Sequence, residues 1–251
     1  MWVGGRTERV TDTQRTYRVE DYRARERDLY AAAKFRAIAR HLDASRPLRI
    51  LNVGCGSGEA NVWLARAGHR VDACDPDAAA VAMSEALKRR HGLDTLSVSR
   101  RALEDVDARA AYDCVVMLDV LEHLEDDDAA LRRVHALLKP AGLGCFSVPA
   151  LPALYGYHDA MLGHHRRYTR RSLERVVGPY FETLALRYFG FFLIPVAFVV
   201  SRLLRRAYPI AATGRSTAAR AALGVVLCLE ARVAFPLGTS LLFIGRARGT
   251  A

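Results

Sequence analysis

A strand-length apolar run that breaks into closely spaced glycines constrains this chain more than any other feature. Leu48, Ile50, Leu51 and Val53 lead directly into the segment Gly54-Cys55-Gly56-Ser57-Gly58. Glycine at every second position predicts a tight turn after a strand, where the backbone comes close to something bulky. The turn therefore predicts a nucleotide-like ligand.

The spacing of these glycines narrows the class of ligand. The dinucleotide fingerprint of dehydrogenases is G-x-G-x-x-G, and Glu59 stands where its third glycine would be. The Gly-Lys-Ser/Thr of a phosphate-binding loop does not occur in the sequence. A second short apolar run ends in Asp75, where a carboxylate can accept hydrogen bonds from ribose hydroxyls. We predict a nucleoside without a phosphate chain; the alternative is an ordinary strand-to-helix turn and a surface aspartate.

Strands and helices alternate along most of the chain. Strands are predicted near 48–54, 70–75, 94–99, 112–118 and 143–148, with further ones at Phe181–Tyr188 and Thr239–Ile244. Alternation of this kind predicts a parallel sheet with helices on both faces. Ligands of such sheets lie beyond the carboxyl ends of the strands, and Gly54, Asp75 and Asp119 all fall at that edge.

Two helices have clear sequence signals. One is predicted from about Val19 to Leu42, with a buried stripe at Phe35, Ile38, Ala39 and Leu42. The other follows the fourth strand. It has acidic residues at its start (Glu125–Asp128), a buried stripe (Leu131, Val134, Leu138) and Pro140 at its end.

Three segments of the chain resemble one enzyme family. Ile50–Gly58 resembles the first motif of class I S-adenosylmethionine-dependent methyltransferases. Tyr112–Leu124 resembles the fourth-strand motif of the branch that includes the ubiquinone-biosynthesis O-methyltransferases, and Leu137–Gly142 resembles its turn from helix to fifth strand. The resemblance covers residues 45–150 well. It implies a doubly wound, Rossmann-like, mostly parallel α/β sheet and S-adenosylmethionine as the cofactor.

The resemblance also implies a set of cofactor-binding residues at the carboxyl edge of the sheet. These are Gly54, Cys55, Gly56, Gly58, Asp75, Pro76, Ala102, Leu103, Leu118 and Asp119. The chain departs from the family pattern at two places. Asn52 stands where the family usually has an acid, and Arg100-Arg101-Ala102-Leu103 stands where an aspartate is common. Ala102 and Leu103 are therefore only candidate neighbours of the adenine.

The segment Tyr155–Tyr168, just after the fifth strand, holds the candidate catalytic residues. His158 is the predicted general base because the pKa of histidine is near neutral, and Asp159 or Asp119 would orient or polarise a nearby group. Methyl transfer needs a base only where the acceptor must lose a proton, because holding the reactants in line supplies much of the catalysis.

Structural roles are the alternative for several of these polar residues. Arg166 and Arg167 could form structural salt bridges, and Tyr168 could belong to the core. His123 could begin a helix, and Glu122 could stabilise a helix N-terminus. The group His158, Asp159, His164 and His165 has no ligand spacing specific for a metal, so no metal is predicted.

The net charge suggests which partners the protein could bind, and the cysteines suggest the compartment in which it is found. The formal net charge of +10 favours anionic partners such as lipid headgroups or nucleic acid. Because the basic residues are scattered without interleaved aromatics, nucleic acid is disfavoured. Five cysteines occur singly, which predicts small buried apolar residues in a reducing compartment. The polar start of the sequence is not typical of a signal peptide, so a cytoplasmic location is predicted.

An apolar region before the last strand is predicted to form a helical insertion. Tyr188–Ser201 has fourteen residues without a charge, short of the ~20 that span a bilayer, and Pro195 interrupts it. Arg202, Arg205 and Arg206 follow, an arrangement typical of a segment at the inner face of a membrane. The alternative is a pair of core helices or a lid over an apolar substrate.

These expectations give one domain layout and one function. Residues 1–45 are a polar segment with a helix, 46–251 are the methyltransferase domain, and 189–235 are the insertion that forms the lid or meets the membrane. The predicted reaction is methylation of a hydroxyl on a hydrophobic or lipid-linked small molecule, with carbon and nitrogen acceptors open. A nicotinamide dehydrogenase is disfavoured by Glu59. A non-catalytic membrane-associated module that keeps the fold is the alternative that Asn52 and Arg101 support.

Overall fold

The structure is a computed structural model that describes residues 28–43, 45–206 and 217–249. In the helix that begins at Thr217, side chains are described from residue 221 onward. The predicted polar segment up to residue 27, including the part of the first helix before residue 28, lies outside the described residues. Residues 207–216 of the predicted insertion also lie outside them.

Seven strands form one sheet in the order β3-β2-β1-β4-β5-β7-β6. The strands are β1 (Arg49–Val53), β2 (Arg70–Asp75), β3 (Leu96–Arg100), β4 (Tyr112–Leu118), β5 (Leu138–Pro149), β6 (Phe181–Phe189) and β7 (Ser240–Ala247). Neighbours from β3 to β5 pair in parallel, whereas β7 runs antiparallel between β5 and β6. The predicted Rossmann-like, mostly parallel sheet is confirmed.

Helices connect the strands and cover both faces of the sheet. They are α1 (Leu29–Ala39), α2 (Glu59–Arg66), α3 (Ala78–His91), α4 (Asp127–Leu137), α5 (Tyr157–Leu162), α6 (Arg170–Val177), α7 (Ile194–Ala197) and α8 (Thr217–Arg232). A 3₁₀ turn at Leu121–His123 follows β4, and a π-helical turn at Phe198–Leu203 continues α7.

Successive residues of the central strand β1 face opposite sides of the sheet. Ile50 packs into a cluster with residues of α1 and α2, and Leu51 packs into a cluster with residues of α4 and α6. Both side chains are fully buried. A strand buried on both faces has a continuous apolar sequence, which explains why β1 could be identified from its residues.

Helix α4 is shorter than the sequence predicted. The carboxylate of Asp126 accepts a hydrogen bond from the backbone N–H of Ala129 and caps the helix, in keeping with the predicted acidic start. The helix ends at Leu137, and Leu138 already pairs with Tyr112 in the sheet. The prediction that Leu138 lies on the helix and that Pro140 ends it was wrong, because strand pairing begins first.

Helix α1 ends at Ala39, and Leu42 lies beyond it. The predicted end at Leu42 was therefore wrong, although Leu42 still packs against the core cluster of α1 and β1. Four of the five cysteines are buried as expected, but Cys228 on α8 is exposed, which corrects that prediction.

The apolar region between β6 and β7 forms short helical turns and then α8. Many of its large side chains face outward, including Phe192, Val196, Phe198, Leu203 and Leu204. Within the described parts of the chain, no helix combines the length and apolar character that crossing a membrane requires. The region is helical, as predicted. That it is an insertion, and that it acts as a lid or membrane contact, stay predictions.

Candidate active site

The glycine turn leaves β1 in a backbone conformation that suits glycine. Gly54, Gly56 and Gly58 have φ of +66°, +51° and +91°. A Cβ at Gly54 would lie 2.4 Å from a methyl of Val120, and a Cβ at Gly58 would lie 2.9 Å from Ser84. At these two positions glycine is required by backbone strain and by close packing against neighbouring elements of the same chain.

The Asp75 carboxylate ties the end of β2 to this turn. It accepts a hydrogen bond from the N–H of Gly56 at 3.0 Å and another from the N–H of Asp77 at 2.9 Å. Both hydrogen bonds come from backbone N–H groups, so they fix the carboxylate at the edge of the glycine turn. That Asp75 binds the ribose of a nucleoside cofactor stays a prediction.

Asn52 takes part in a buried chain of amide and hydroxyl groups beneath the turn. Its Nδ2 donates to Asn61 Oδ1 at 2.7 Å, and Asn61 Nδ2 donates to Ser84 Oγ at 2.8 Å. Ser84 is the residue against which Gly58 packs. Asn52 thus supports the turn through hydrogen bonds, which is a structural reason for a residue other than an acid at this position.

Asp119 lies at the end of β4 and pairs with a residue that sequence reasoning missed. Its backbone has φ of +55°, and its carboxylate accepts from Ser147 Oγ at 2.8 Å. Lys34 of α1, whose side chain is buried, forms an ion pair with this partly exposed carboxylate. Burial opposes ionisation of Asp119, but the ammonium of Lys34 outweighs it and lowers the pKa of Asp119. The sequence did not indicate this ion pair, because a single lysine next to Phe35 in a predicted helix does not show which distant carboxylate it will contact.

Asp159 is the centre of a buried polar cluster after β5. Its carboxylate accepts from the backbone N–H of Gly156 at 3.0 Å and contacts His164 Nδ1 at 3.0 Å and Arg167 Nε at 2.7 Å. Burial raises its pKa, but the hydrogen bonds from His164 and Arg167 outweigh burial and lower it. Asp159 therefore holds His164 and Arg167 in place. Its predicted action on a reacting group stays a prediction.

His158 lies next to this cluster and against the apolar insertion. Its side chain is buried, and its backbone N–H donates to Ser201 Oγ at 3.1 Å. A Cβ at Gly156 would lie 2.6 Å from the same oxygen, so the insertion packs closely on the start of α5. The role of His158 as a general base stays a prediction.

The structural alternatives for the arginines and the tyrosine hold in the structure. Arg166 forms an ion pair with Asp127 at 3.0 Å, and Arg167 forms one with Asp159. Tyr168 is buried and donates from its hydroxyl to Asp127 at 2.9 Å.

Glu122 lies in the first turn of the short 3₁₀ segment Leu121–His123, and its role in stabilising a helix start stays a prediction. Its side chain is fully buried, and Asp126 caps the longer helix α4 that follows. Within the described residues neither carboxyl oxygen of Glu122 has a hydrogen-bond partner. Burial, reinforced by the Asp119 carboxylate, raises the pKa of Glu122 well above its usual range.

The remaining predicted cofactor residues lie around the same edge. Pro76 follows β2 and its carbonyl accepts from Arg100 Nε at 3.1 Å, while Leu118 ends β4 beside Asp119. Cys55, the second residue of the turn, is buried, and Ala102 is half-buried after β3. Leu103 packs in the core cluster of β1 and α4, so its contact with adenine stays a prediction.

Comparisons with known proteins agree with this geometry. A family model described as a methyltransferase domain matches residues 22–180, more than half of the chain. The ubiquinone biosynthesis O-methyltransferase of Bradyrhizobium sp. (strain ORS 278) is 34% identical over 113 residues, which cover 45% of this chain and 44% of that protein. The match thus spans less than half the length of this relative.

Two solved structures share the fold. Burkholderia thailandensis 1,6-didemethyltoxoflavin-N1-methyltransferase, solved with bound 1,6-didemethyltoxoflavin and S-adenosylhomocysteine, has a TM-score of 0.58 at 18% identity, and the match covers 89% of this chain and 80% of that chain. Haemonchus contortus phosphoethanolamine N-methyltransferase 2, solved with S-adenosyl-L-methionine, has a TM-score of 0.65 at 14% identity and covers 94% of this chain and 58% of its own. The family match, the strand order and the glycine turn together show that the chain belongs to the S-adenosylmethionine-dependent methyltransferase family.

Proposed function

We propose that the protein transfers a methyl group to a hydroxyl of a hydrophobic or lipid-linked small molecule. The observation that carries this proposal is the packing of the apolar insertion on the candidate catalytic segment. Ser201 accepts from the N–H of His158, and Arg202 donates to the carbonyl of Tyr155 at 3.1 Å. The insertion that would cover an acceptor is therefore in direct contact with the segment that holds His158.

The choice of oxygen as the methylated atom rests on the curated relatives. Those matched include ubiquinone biosynthesis O-methyltransferases at 34–35% identity over 45% of this chain. Fold alone does not decide the atom, because the two solved structures above are N-methyltransferases.

In the proposed mechanism each residue set has one task. S-adenosylmethionine supplies an electrophilic methyl group when bound. The glycine turn lets the backbone approach the cofactor, and Asp75 accepts hydrogen bonds from the ribose hydroxyls. His158 takes the proton that the acceptor hydroxyl loses, and the insertion excludes water from the reacting atoms. Asp119, fixed by Lys34 and Ser147, places negative charge beside the cofactor edge.

Calorimetry with S-adenosylmethionine and S-adenosylhomocysteine tests the cofactor site first. We expect binding by the wild type and at least a tenfold loss in Asp75→Ala. Asp72→Ala is the matched control, because Asp72 lies on the same strand but pairs at the surface with Arg49 at 2.9 Å. A folded wild type that binds neither compound would favour the non-catalytic module instead.

The acceptor is tested by a screen of lipophilic alcohols and phenols with radiolabelled cofactor. We expect transfer to rise with the apolar length of the acceptor and to fall at least tenfold in His158→Gln without loss of cofactor binding. Transfer to amines in preference to hydroxyls would refute the proposed acceptor class.

We further propose that the insertion makes peripheral contact with an anionic membrane from the cytoplasmic side. Leu203 and Leu204 are exposed at 61% and 56%, and Arg202, Arg205 and Arg206 lie beside them. Apolar side chains flanked by bases suit an anionic lipid surface.

Sedimentation with vesicles tests this contact. We expect binding to phosphatidylglycerol vesicles, little binding to phosphatidylcholine vesicles, and loss of binding in the double variant Leu203→Ser/Leu204→Ser. Leu184→Ser is the control, because Leu184 is an exposed leucine outside the insertion. Equal binding by both variants would refute the contact.

A further inference from the structure

Two ring nitrogens and one carboxylate converge next to the candidate active site. Glu122 and His123 lie in the 3₁₀ turn after β4, and His164 follows α5. One potential ligand atom from each lies within 4.8 Å of those of the other two. The rings of His123 and His164 meet edge to face with their centroids 4.7 Å apart.

Glu122 gives the first independent sign that this cluster holds a ligand. It is fully buried, and among the described residues neither of its carboxyl oxygens has a hydrogen-bond partner. Its Oε1 lies 3.9 Å from His164 Nε2, too far for a hydrogen bond. A buried carboxyl left without partners costs about 1–3 kcal/mol, and more when it is charged, so a bound cation would offset this cost.

The orientation of His164 gives the second sign. Its Nδ1 lies 3.0 Å from Asp159 Oδ1, and we assign the proton to Nδ1, as donor to the carboxylate. The lone pair of Nε2 then points toward Glu122. Asp159 is itself held by Arg167 and by the N–H of Gly156. Metal-binding histidines typically donate their second ring N–H to a carboxylate in this way.

We propose that Glu122, His123 and His164 bind one divalent transition-metal ion. Two imidazoles and one carboxylate suit Zn²⁺, Fe²⁺ or Co²⁺, whereas Mg²⁺ and Ca²⁺ prefer sites built from oxygen. Metal–ligand bonds of ~2.0–2.2 Å require the three ligand atoms, which lie within 4.8 Å of one another, to move closer together when the ion binds.

An ion with three protein ligands keeps at least one coordination position for another oxygen. If the proposed function holds, that position would take the acceptor hydroxyl and lower its pKa. The proton would leave to a base or to water, the oxygen would attack the methyl carbon, and the carbon–sulfur electron pair would stay on S-adenosylhomocysteine. Ion binding itself does not depend on this role.

Titration of the metal-free protein with Co²⁺ and Zn²⁺ tests the site. We expect visible absorption bands that saturate at one Co²⁺ per chain and are removed by one equivalent of Zn²⁺. Glu122→Gln and His164→Ala should each weaken Zn²⁺ binding at least tenfold, and Asp159→Asn should weaken it about 10- to 100-fold. His165→Ala is the matched control, since His165 is adjacent in sequence but exposed.

X-ray absorption of the Zn²⁺-loaded wild type tests the same ligands without any variant. We expect two imidazoles and one carboxylate, a result that holds even where a substitution prevents folding. The proposal would be overturned if the wild type bound neither ion or if the bound Zn²⁺ had no imidazole ligand. It would also be overturned if His165→Ala weakened Zn²⁺ binding as much as His164→Ala does. Because these readouts need no cofactor or acceptor, they are separate from a failure of the proposed function.

Discussion

Lys34 and Asp119 form an ion pair in which the two partners are buried to very different extents. The side chain of Lys34 is 5% exposed, whereas that of Asp119 is 41% exposed. The Nζ atom of Lys34 also lies 5.0 Å from the centre of the Tyr30 ring. The pair joins the helix before the first strand to the cofactor edge of the sheet, so residues outside the main motifs shape the site.

The unequal burial predicts unequal effects of removing either partner. Asp119→Asn leaves a buried ammonium without its counter-charge, and we expect the unfolding free energy to fall by about 2–3 kcal/mol. Lys34→Met leaves a carboxylate that water can reach, so its cost should be only about 1 kcal/mol or less. Urea denaturation at pH 7 measures both. A larger loss in Lys34→Met would contradict the burial of the lysine.

The same pair predicts a pH window for stability. Burial alone would lower the pKa of Lys34, but the Asp119 carboxylate, helped by Tyr30 and Asp28, raises this pKa above its ordinary 10.5. The pKa of Asp119 is lowered from 3.8. A lowered acid pKa stabilises the fold above its ordinary value, and that stability is lost as the pH falls through the lowered pKa. A raised lysine pKa stabilises below its ordinary value, and that stability is lost as the pH rises through the raised pKa.

The contribution of the pair should therefore be full between about pH 4 and pH 10.5. The measurement is the difference in unfolding free energy between wild type and Asp119→Asn across pH. We expect a constant difference from pH 5 to 9 and a smaller one below pH 4. A difference that shrinks between pH 5 and 8 would assign the effect to another group, such as a histidine.

The sheet and the glycine turn could be predicted because their signals are local. The apolar runs of β1 and β4 are continuous, and the turn after β1 has its glycines within five residues. The end of α4 was missed because pairing of Leu138 with Tyr112 competes with helix propagation. Such a contact between distant positions leaves no mark in the periodicity of the helix itself.

The polar partners of the site could not be predicted for the same reason. The sequence allowed a salt bridge for Arg167 and grouped His164 with Asp159, but it did not show that Asp159 contacts both, and it gave no sign that Lys34 pairs with Asp119. The complete burial of Glu122 was not predicted either, because an acidic residue is usually exposed unless the fold encloses it. The residue types show which reactive groups are present, but only the three-dimensional structure shows which of these groups come into contact.

The glycine turn predicts a difference between two glycines with similar backbones. Gly54 has φ of +66° and Gly92 has φ of +60°, but of the two only Gly54 would bring an added Cβ within 4 Å of a neighbour, which is Val120. Alanine at either position costs about 1–2 kcal/mol for the left-handed conformation. Gly54→Ala should cost about 1–3 kcal/mol more for the clash and should weaken S-adenosylhomocysteine binding.

Thermal unfolding and calorimetry of the two variants check this difference. The double variant Gly54→Ala/Val120→Ala should recover part of the lost stability, because it removes the methyl that the new Cβ meets. Equal stability of Gly54→Ala and Gly92→Ala, with no effect on ligand binding, would show that the turn can move away from Val120.

A buried carboxylate on α8 predicts how the apolar insertion is held. Glu230 accepts from the N–H of Gly190 at 2.6 Å and from the N–H of Phe192 at 3.1 Å, and it is 1% exposed. Glu230→Ala would leave both donors without this partner, at about 1–3 kcal/mol each where water cannot reach them. The insertion should then open more often and give a protease access to the backbone beside its already exposed arginines.

Limited trypsin digestion measures this opening, with cleavage at Arg202, Arg205 and Arg206 as the readout. We expect cleavage of Glu230→Ala at these sites to be at least fivefold faster than in the wild type. A fivefold increase corresponds to a loss of about 1 kcal/mol in the free energy that keeps the insertion closed, provided that the cleavage rate is proportional to the open population. Glu182→Ala on the exposed part of β6 is the control and should be cleaved at the wild-type rate. Unchanged cleavage in Glu230→Ala would mean that the packing of Ser201 against Gly156 holds the insertion without the carboxylate.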